Sequence, residues 1–208
     1  MKKYKAVLFD FDGTLIDTND FIIGSWRAVS EEIFGEMKFD LDYLASFFGT
    51  PLEYAAEETR KDYGIEGYDY KDICRIYRDY QKNNQDKFGK PFDGIPELLF
   101  ALKEKGIKLG VVTSRLRKTT IDALERNGIA SCFNAVIGEE DTDIHKPLPE
   151  PCLLCCERLG VDPADVLMVG DSRYDIECGK TRDAEAPLFP GHSLRKPRGS
   201  RGYPSPII

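Results

Sequence analysis

Lys5-Ala6-Val7-Leu8-Phe9-Asp10-Phe11-Asp12-Gly13-Thr14-Leu15 is the stretch that decides how this chain is read. An apolar run stops abruptly at two carboxylates, two residues apart, ahead of a Gly-Thr turn. Packing alone does not call for that arrangement. Side chains alternate along a strand, so Asp10 and Asp12 are expected on the same side of its carboxyl end. Two like charges that close repel one another unless something positive lies between them, so a cation is expected from elsewhere in the chain.

Downstream, the pattern turns helical. Ile22, Trp26, Val29 and Ile33 mark one apolar face at helical spacing, and similar stripes run through Leu41-Leu44-Phe48, Leu52-Ala55-Ala56-Thr59-Tyr63 and Ile73-Ile76-Tyr77-Tyr80. No strand pattern interrupts residues 17–87, which predicts an all-helical insertion. Trp26 and the tyrosines are read as its core.

From Pro91 helices and strands alternate. Leu98, Leu99 and Leu102 form a helix face closed by Gly106, and residues 107–112 read as a strand ending at Thr113-Ser114. Ile121 and Leu124 mark the next helix, and Ala135-Val136-Ile137-Gly138 a short strand. Glu150–Leu159 is a helix, and Val166-Leu167-Met168-Val169 a strand running into Gly170-Asp171. Such alternation implies a parallel sheet with right-handed crossovers, in which ligands bind at the carboxyl ends of the strands. The expected fold is α/β: a Rossmann-like, three-layer parallel-sheet core carrying an inserted all-helical cap domain. Its expected division is a core of residues 1–16 and 88–191, a cap of 17–87 and an atypical tail of 192–208.

The 208 residues carry a net charge of −7, which argues against nucleic acid or an anionic membrane as the main partner. Neither a signal-peptide pattern nor a membrane-spanning run is evident, and a cytoplasmic location is expected. Cys152, Cys155, Cys156 and Leu159 fall on one helical stripe, so the cysteines read as small core hydrophobes in preference to a metal site.

Each strand end carries a different polar group: Asp10 with Asp12, Thr113, and Asp171 with Asp175 one helical turn on. Lys146 lies in the loop after the third strand. Carboxylates from two strand ends make a hard oxygen site suited to Mg²⁺. The Thr113 hydroxyl with an adjacent backbone N–H, and the Lys146 ammonium, suit phosphoryl oxygens. Asp10 can attack phosphorus to give an acyl phosphate, while Asp12, free to swing, serves as acid and base.

Four motifs then stand in order: Phe9-Asp10-Phe11-Asp12-Gly13-Thr14-Leu15, Val111-Val112-Thr113-Ser114, Lys146-Pro147, and Val169-Gly170-Asp171-Ser172-x-x-Asp175. With them the chain resembles the haloacid dehalogenase-like hydrolases, specifically the helical-cap phosphatases of the phosphoglycolate phosphatase and pyrophosphatase type. The resemblance implies that Asp10 is the nucleophile and Asp12 the acid/base. It also implies that Asp10, the backbone carbonyl of Asp12, and Asp171 hold Mg²⁺ with support from Asp175, and that Thr113 and Lys146 bind phosphate, beside the less distinctive Ser114. In the cap, Phe48-Gly49-Thr50-Pro51-Leu52-Glu53 is similar to the loop that reaches over the site in such members, placing Gly49 and Thr50 at the substrate. The same residues also read as a turn into a helix with Pro51 at its first position.

The implied function is hydrolysis of a small phosphate monoester through an aspartyl phosphate. A sugar phosphomutase of the β-phosphoglucomutase type is the alternative, ranked lower because the cap face offers few basic residues, Arg27 being the main early one. Two departures from the family pattern stand out. Leu148 occupies a position where Asp is common, and after Gly179 the chain becomes rich in Pro, Gly and Arg, with only residues 186–189 able to pair as a strand. The second departure supports a further alternative, an inactive or partner-binding relative.

Overall fold

The computed structural model describes residues 4–180. The expected tail at 192–208 and the expected edge strand at 186–189 lie outside the described residues. Strand β1 (Ala6–Phe9) sits inside a parallel four-stranded sheet, between β2 (Lys108–Val112) and β4 (Val166–Val169), with β3 (Ala135–Ile137) beyond β2. Phe9 is level with Val111 on one side and Val169 on the other. The carboxyl ends of three strands therefore finish at one height.

All four β1 side chains are buried, as a strand covered on both faces requires. Val7 and Phe9 pack into a cluster with Leu99 of α5 (Ile95–Glu104) and Leu124 of α6 (Arg117–Arg126). Ala6 and Leu8 face the other way, against Cys152, Cys155, Cys156 and Leu159 of α7 (Glu150–Leu159) and Cys178 of α8 (Arg173–Gly179). The cysteine stripe is thus core, all of it buried. Alternation along one strand feeds two cores and fixes the three layers, the buried Val7, Leu8 and Phe9 each contributing about 1.5–3 kcal/mol.

Between β1 and α5 come four helices, α1 (Asn19–Phe34), α2 (Leu41–Ala45), α3 (Leu52–Asp62) and α4 (Tyr70–Asn83), with a core of their own. Trp26 meets Tyr77 edge-on at 5.4 Å and Phe39 at 6.0 Å. A capping box of Asp69 and Asp72 starts α4. The second helix stops at Ala45, short of the expected Phe48. There Ser46 Oγ donates to the Tyr43 carbonyl at 2.6 Å and Thr50 Oγ1 to that of Phe47 at 2.7 Å, local bonds that compete with a continuing helix. No helix among the described residues is long and apolar enough to cross a membrane.

The two connections between sheet and inserted helices run side by side. Asp17 N donates to Lys90 O at 2.9 Å, Phe92 N to Leu15 O at 3.2 Å, and Ile16 and Pro91 form an antiparallel bridge. At Gly89 a Cβ would lie 1.5 Å from the Asp17 carbonyl oxygen. Backbone cannot yield as a flexible side chain does, so Gly89→Ala is expected to destabilise the protein by about 1–3 kcal/mol. Urea unfolding measures it, and a midpoint unchanged from the parent would show that the connections pass less tightly.

Candidate functional site

Aligned strand ends bring the predicted residues together. Asp10 N continues the ladder by donating to Val169 O at 2.8 Å, which fixes its backbone just past β1. Lys146, expected as the missing cation, is buried with its side chain 2% exposed. Its Nζ donates to Asp10 Oδ1 and Asp175 Oδ1, both at 2.7 Å, and to the Val112 carbonyl at 3.3 Å. All three ammonium protons have acceptors. Lys146 therefore sits beneath the nucleophile candidate and is not part of the cavity wall.

Asp175 is placed by the start of α8. Its Oδ2 accepts from Ser172 N at 3.0 Å and from Ser172 Oγ at 2.5 Å, while its own N–H donates back to Ser172 Oγ. Donor atoms of Asp10, Asp171 and Asp175 all lie within 4.8 Å of one another. Burial first, and then the charge of Asp175, push the carboxyl of Asp10 well above its ordinary range, with Lys146 opposing; Asp171 is raised for the same two reasons. Burial works to discharge Lys146, yet Asp10 and Asp175 outweigh it and hold its ammonium charged. Three carboxylates face one ammonium, so the cluster holds more acid than base, a crowding that a divalent cation would relieve. The hard oxygen donors suit such an ion.

Asp12 borders the same cavity as Asp10 but lies past the end of the strand. Regular pairing in β1 ends at Phe9, and Asp12 turns back into an isolated bridge with Ile16. Its Oδ1 accepts from Thr18 Oγ1 at 2.7 Å and from Arg115 Nη1 at 3.0 Å, so it is tethered in this structure where a freely swinging group was expected. Neither Thr18 nor Arg115 stands out in the sequence. A basic residue just ahead of a helix normally reads as solvated surface.

Thr113 keeps its place at the end of β2, but its N–H is spent on Ile137 O at 3.0 Å and its hydroxyl accepts from Arg115 N at 3.2 Å. Ser114 Oγ donates to the Gly49 carbonyl at 2.7 Å, joining the sheet to the loop between α2 and α3. Gly49 has φ +86°, and a Cβ there would come within 2.9 Å of Ser172 Oγ, so glycine permits the close approach. The Thr50 hydroxyl is turned onto Phe47 O. Pro51 immediately precedes α3. Both readings of this loop describe it: it is a turn into a helix and it borders the site.

A cavity of about 780 Å³ lies between sheet and inserted helices, bordered by Asp10, Asp12, Thr113, Ser114, Gly49, Thr50 and Asp171. Trp26 and Tyr77, expected as core, are buried and also line it. From α4, Arg78 and Lys82 reach the same space, whereas Arg27 is exposed and does not border it. The inserted helices thus present more basic groups than the sequence reading expects. Arg78 is neutralised by Glu53, its Nη2 donating to Glu53 Oε1 at 2.5 Å.

Glu53 of α3 also meets Glu139, which follows β3, so a carboxyl pair spans the two halves. Burial first, then the hydrogen bond and charge of Glu53, push Glu139 up to about 8; Glu53 is held low in spite of burial because Glu139 and Arg78 donate to it. The folded protein keeps the Glu139 proton at pH values where the unfolded chain, near its ordinary 4.5, has lost it. Stability from this pair is complete below about 4.5 and is lost as the pH rises to about 8. Glu139→Gln supplies a donor at every pH and is expected to flatten the stability profile across that window, with a higher melting temperature at its upper end. Thermal melts across the range check it, and an unaltered slope would remove the shared proton.

The haloacid dehalogenase-like hydrolase family matches residues 7–186 of the chain. Pyrophosphatase PpaX of Bacillus velezensis is 36% identical over 179 residues, 86% of this chain and 80% of that protein. The crystal structure of a predicted phosphoglycolate phosphatase of Haemophilus somnus superposes with a TM-score of 0.77 at 25% identity, covering 90% of this chain and 85% of the other. A β-phosphoglucomutase of Clostridium difficile, 19% identical, shares the fold with a TM-score of 0.74 over 88% of this chain and 83% of its own. With the family pattern spanning both the sheet and the inserted helices, the chain belongs to the haloacid dehalogenase-like hydrolases.

Proposed function

We propose that this hydrolase is a Mg²⁺-dependent phosphatase acting on a small phosphate monoester of the phosphoglycolate type through an aspartyl phosphate on Asp10. The observation that carries the reading is the Lys146 bridge, which grips one oxygen of Asp10 and holds it at the cavity floor beside Asp171 and Asp175. Asp10 attacks phosphorus in line, forming a P–O bond as the ester P–O bond breaks. Asp12 gives a proton to the departing oxygen, then takes one from the water that cleaves the acyl phosphate. Thr113 and Ser114 orient the phosphoryl oxygens, Lys146 acts on them through the Asp10 oxygen it grips, and Gly49 and Thr50 border the leaving group.

Asp10, Asp171 and Asp175, with the backbone carbonyl of Asp12, are the groups that would hold Mg²⁺; bound there, it supplies charge neutralisation to the phosphoryl oxygens. Pyrophosphatase and phosphoglycolate phosphatase are the names borne by the relatives described above, which supports phosphate chemistry. The neutralised Arg78 favours hydrolysis over retention of a second sugar phosphate. The proposed division is a core of residues 1–16 and 88–191 with a cap of 17–87. Its support is the paired connections at Ile16 and Pro91 and the separate hydrophobic cluster of the inserted helices.

Phosphate release from 2-phosphoglycolate is expected to need added Mg²⁺ and to fall by roughly 10³-fold or more in Asp10→Asn. Release that survives that substitution would overturn the covalent route, and net isomerisation of a hexose phosphate would favour the mutase. Mg²⁺ at a hundred times its dissociation constant is expected to stabilise the protein by about 2.7 kcal/mol. Asp171→Asn should abolish that shift in a thermal melt, and a shift of unchanged size would place the ion elsewhere.

A further inference from the structure

Arg115 has no part in the chemistry above, yet it is held at the cavity wall beside Asp12. Its backbone is fixed on both sides, its N–H donating to Thr113 Oγ1 at 3.2 Å and its carbonyl accepting from Glu139 N at 2.8 Å. The side chain is 14% exposed. Its guanidinium carbon lies 5.3 Å from the Phe88 ring centroid and 5.8 Å from that of Phe11, so two aromatic rings orient the group. Nη1 donates to Asp12, but Nε is buried with no acceptor. A buried donor left unsatisfied is costly and marks a position where an acceptor belongs.

A guanidinium presents its donors as a planar fork that matches a carboxylate or a phosphate with two parallel bonds. Here the fork makes one bond to Asp12, and a second edge, through Nε, goes unused. Among the other charged groups on the wall, Arg78 is tied to Glu53, Arg126 donates to Gln85 and stacks on Phe88, Lys82 is solvent-exposed on α4, and Asp122 and Glu125 repel an anion, so Arg115 is the cation held beside Asp12.

We propose that Arg115 selects substrates whose leaving group carries its own negative charge, exchanging Asp12 for that anion. The exchange removes one of the two hydrogen bonds that tether Asp12 and leaves the bond from Thr18. An ester with a neutral leaving group cannot compete for the fork, so Asp12 stays tethered and turnover is slow. Selectivity then resides in kcat as well as in KM, because the interaction with the leaving group is coupled to the mobility of the acid. This inference rests on the phosphatase reading and adds to it the chemistry of the leaving group.

The test compares 2-phosphoglycolate with 2-hydroxyethyl phosphate, esters of similar size that differ in a carboxylate. The wild-type protein is expected to favour the first by about 10- to 100-fold in kcat/KM, the worth of one hydrogen bond to a charged group. In Arg115→Gln that ratio should collapse toward unity, through a raised KM for 2-phosphoglycolate and a raised kcat for 2-hydroxyethyl phosphate. Arg115→Lys should restore part of the preference. A wild-type protein that hydrolyses both esters equally well overturns this inference and leaves the phosphatase reading standing. Hydrolysis of neither overturns both. A fall in kcat for both esters in Arg115→Gln would make Arg115 a merely structural support of Asp12, and the wild-type ratio decides the matter even if that variant fails to fold.

Discussion

A single buried ammonium, Lys146 between Asp10 and Asp175, is the contact on which the arrangement of the site depends. Its two 2.7 Å bonds join the end of β1 to the first turn of α8, and its third, to Val112 O, reaches the end of β2. Buried ion pairs are a weak source of net stability, since the Coulomb attraction is set against the cost of taking charges out of water. Their worth here is positional. The capping box of Ser172 orients Asp175, Asp175 orients Lys146, and Lys146 orients Asp10. A helix start in the last described part of the chain thereby sets the direction of a side chain near its beginning.

The second constraint is that the inserted helices are joined to the sheet at several separated points. One is the pair of connections at Ile16 and Pro91, another the bond from Ser114 to the Gly49 carbonyl, and a third the carboxyl pair of Glu53 and Glu139. Phe88, beside the return connection, contacts Phe11 on one side of this junction and Phe21 on the other. The cavity lies among these contacts. Its walls therefore depend on how the two halves meet, and Glu139, its carboxyl pushed up by burial and by Glu53, lies on its border.

Much of this was legible in the sequence where one period dominates. The 3.6-residue stripe of Cys152, Cys155, Cys156 and Leu159 specifies a helix face, and the short apolar runs at Val7 and Val166 specify strands whose ends carry Asp10 and Asp171. Legibility failed where a long-range partner decides. Alternation put Asp12 on the side of Asp10, and both border the cavity, but nothing local names the partners that tether Asp12, Thr18 and Arg115, the latter 103 residues away. Lys146 was identified as a cation near the carboxylates, but nothing in its loop shows that all three of its protons point away from the cavity. The bonding of Glu53 to Glu139 likewise has no local signal, since two acids far apart in sequence ordinarily avoid each other. The shortened α2 depended on hydroxyl groups of Ser46 and Thr50 that compete with the helix only in the geometry of that turn.

The two carboxylates at the end of β1 lie in unlike surroundings, and that difference bears on their proposed roles. Asp10, its side chain 5% exposed, shares an ammonium with a second acid and has a third close by. Such a group is fixed in direction and gains from a divalent cation, which suits attack on phosphorus along one line. Asp12 is 22% exposed and held at one oxygen by a hydroxyl and by a guanidinium that borders the open cavity. Those donors belong to side chains on different elements, Thr18 at the entry to α1 and Arg115 after β2, so a shift of the inserted helices or the arrival of an anion alters them separately. A group that must deliver a proton at one step and remove one at the next needs tethers of that kind, able to be exchanged without disturbing the buried cluster beneath.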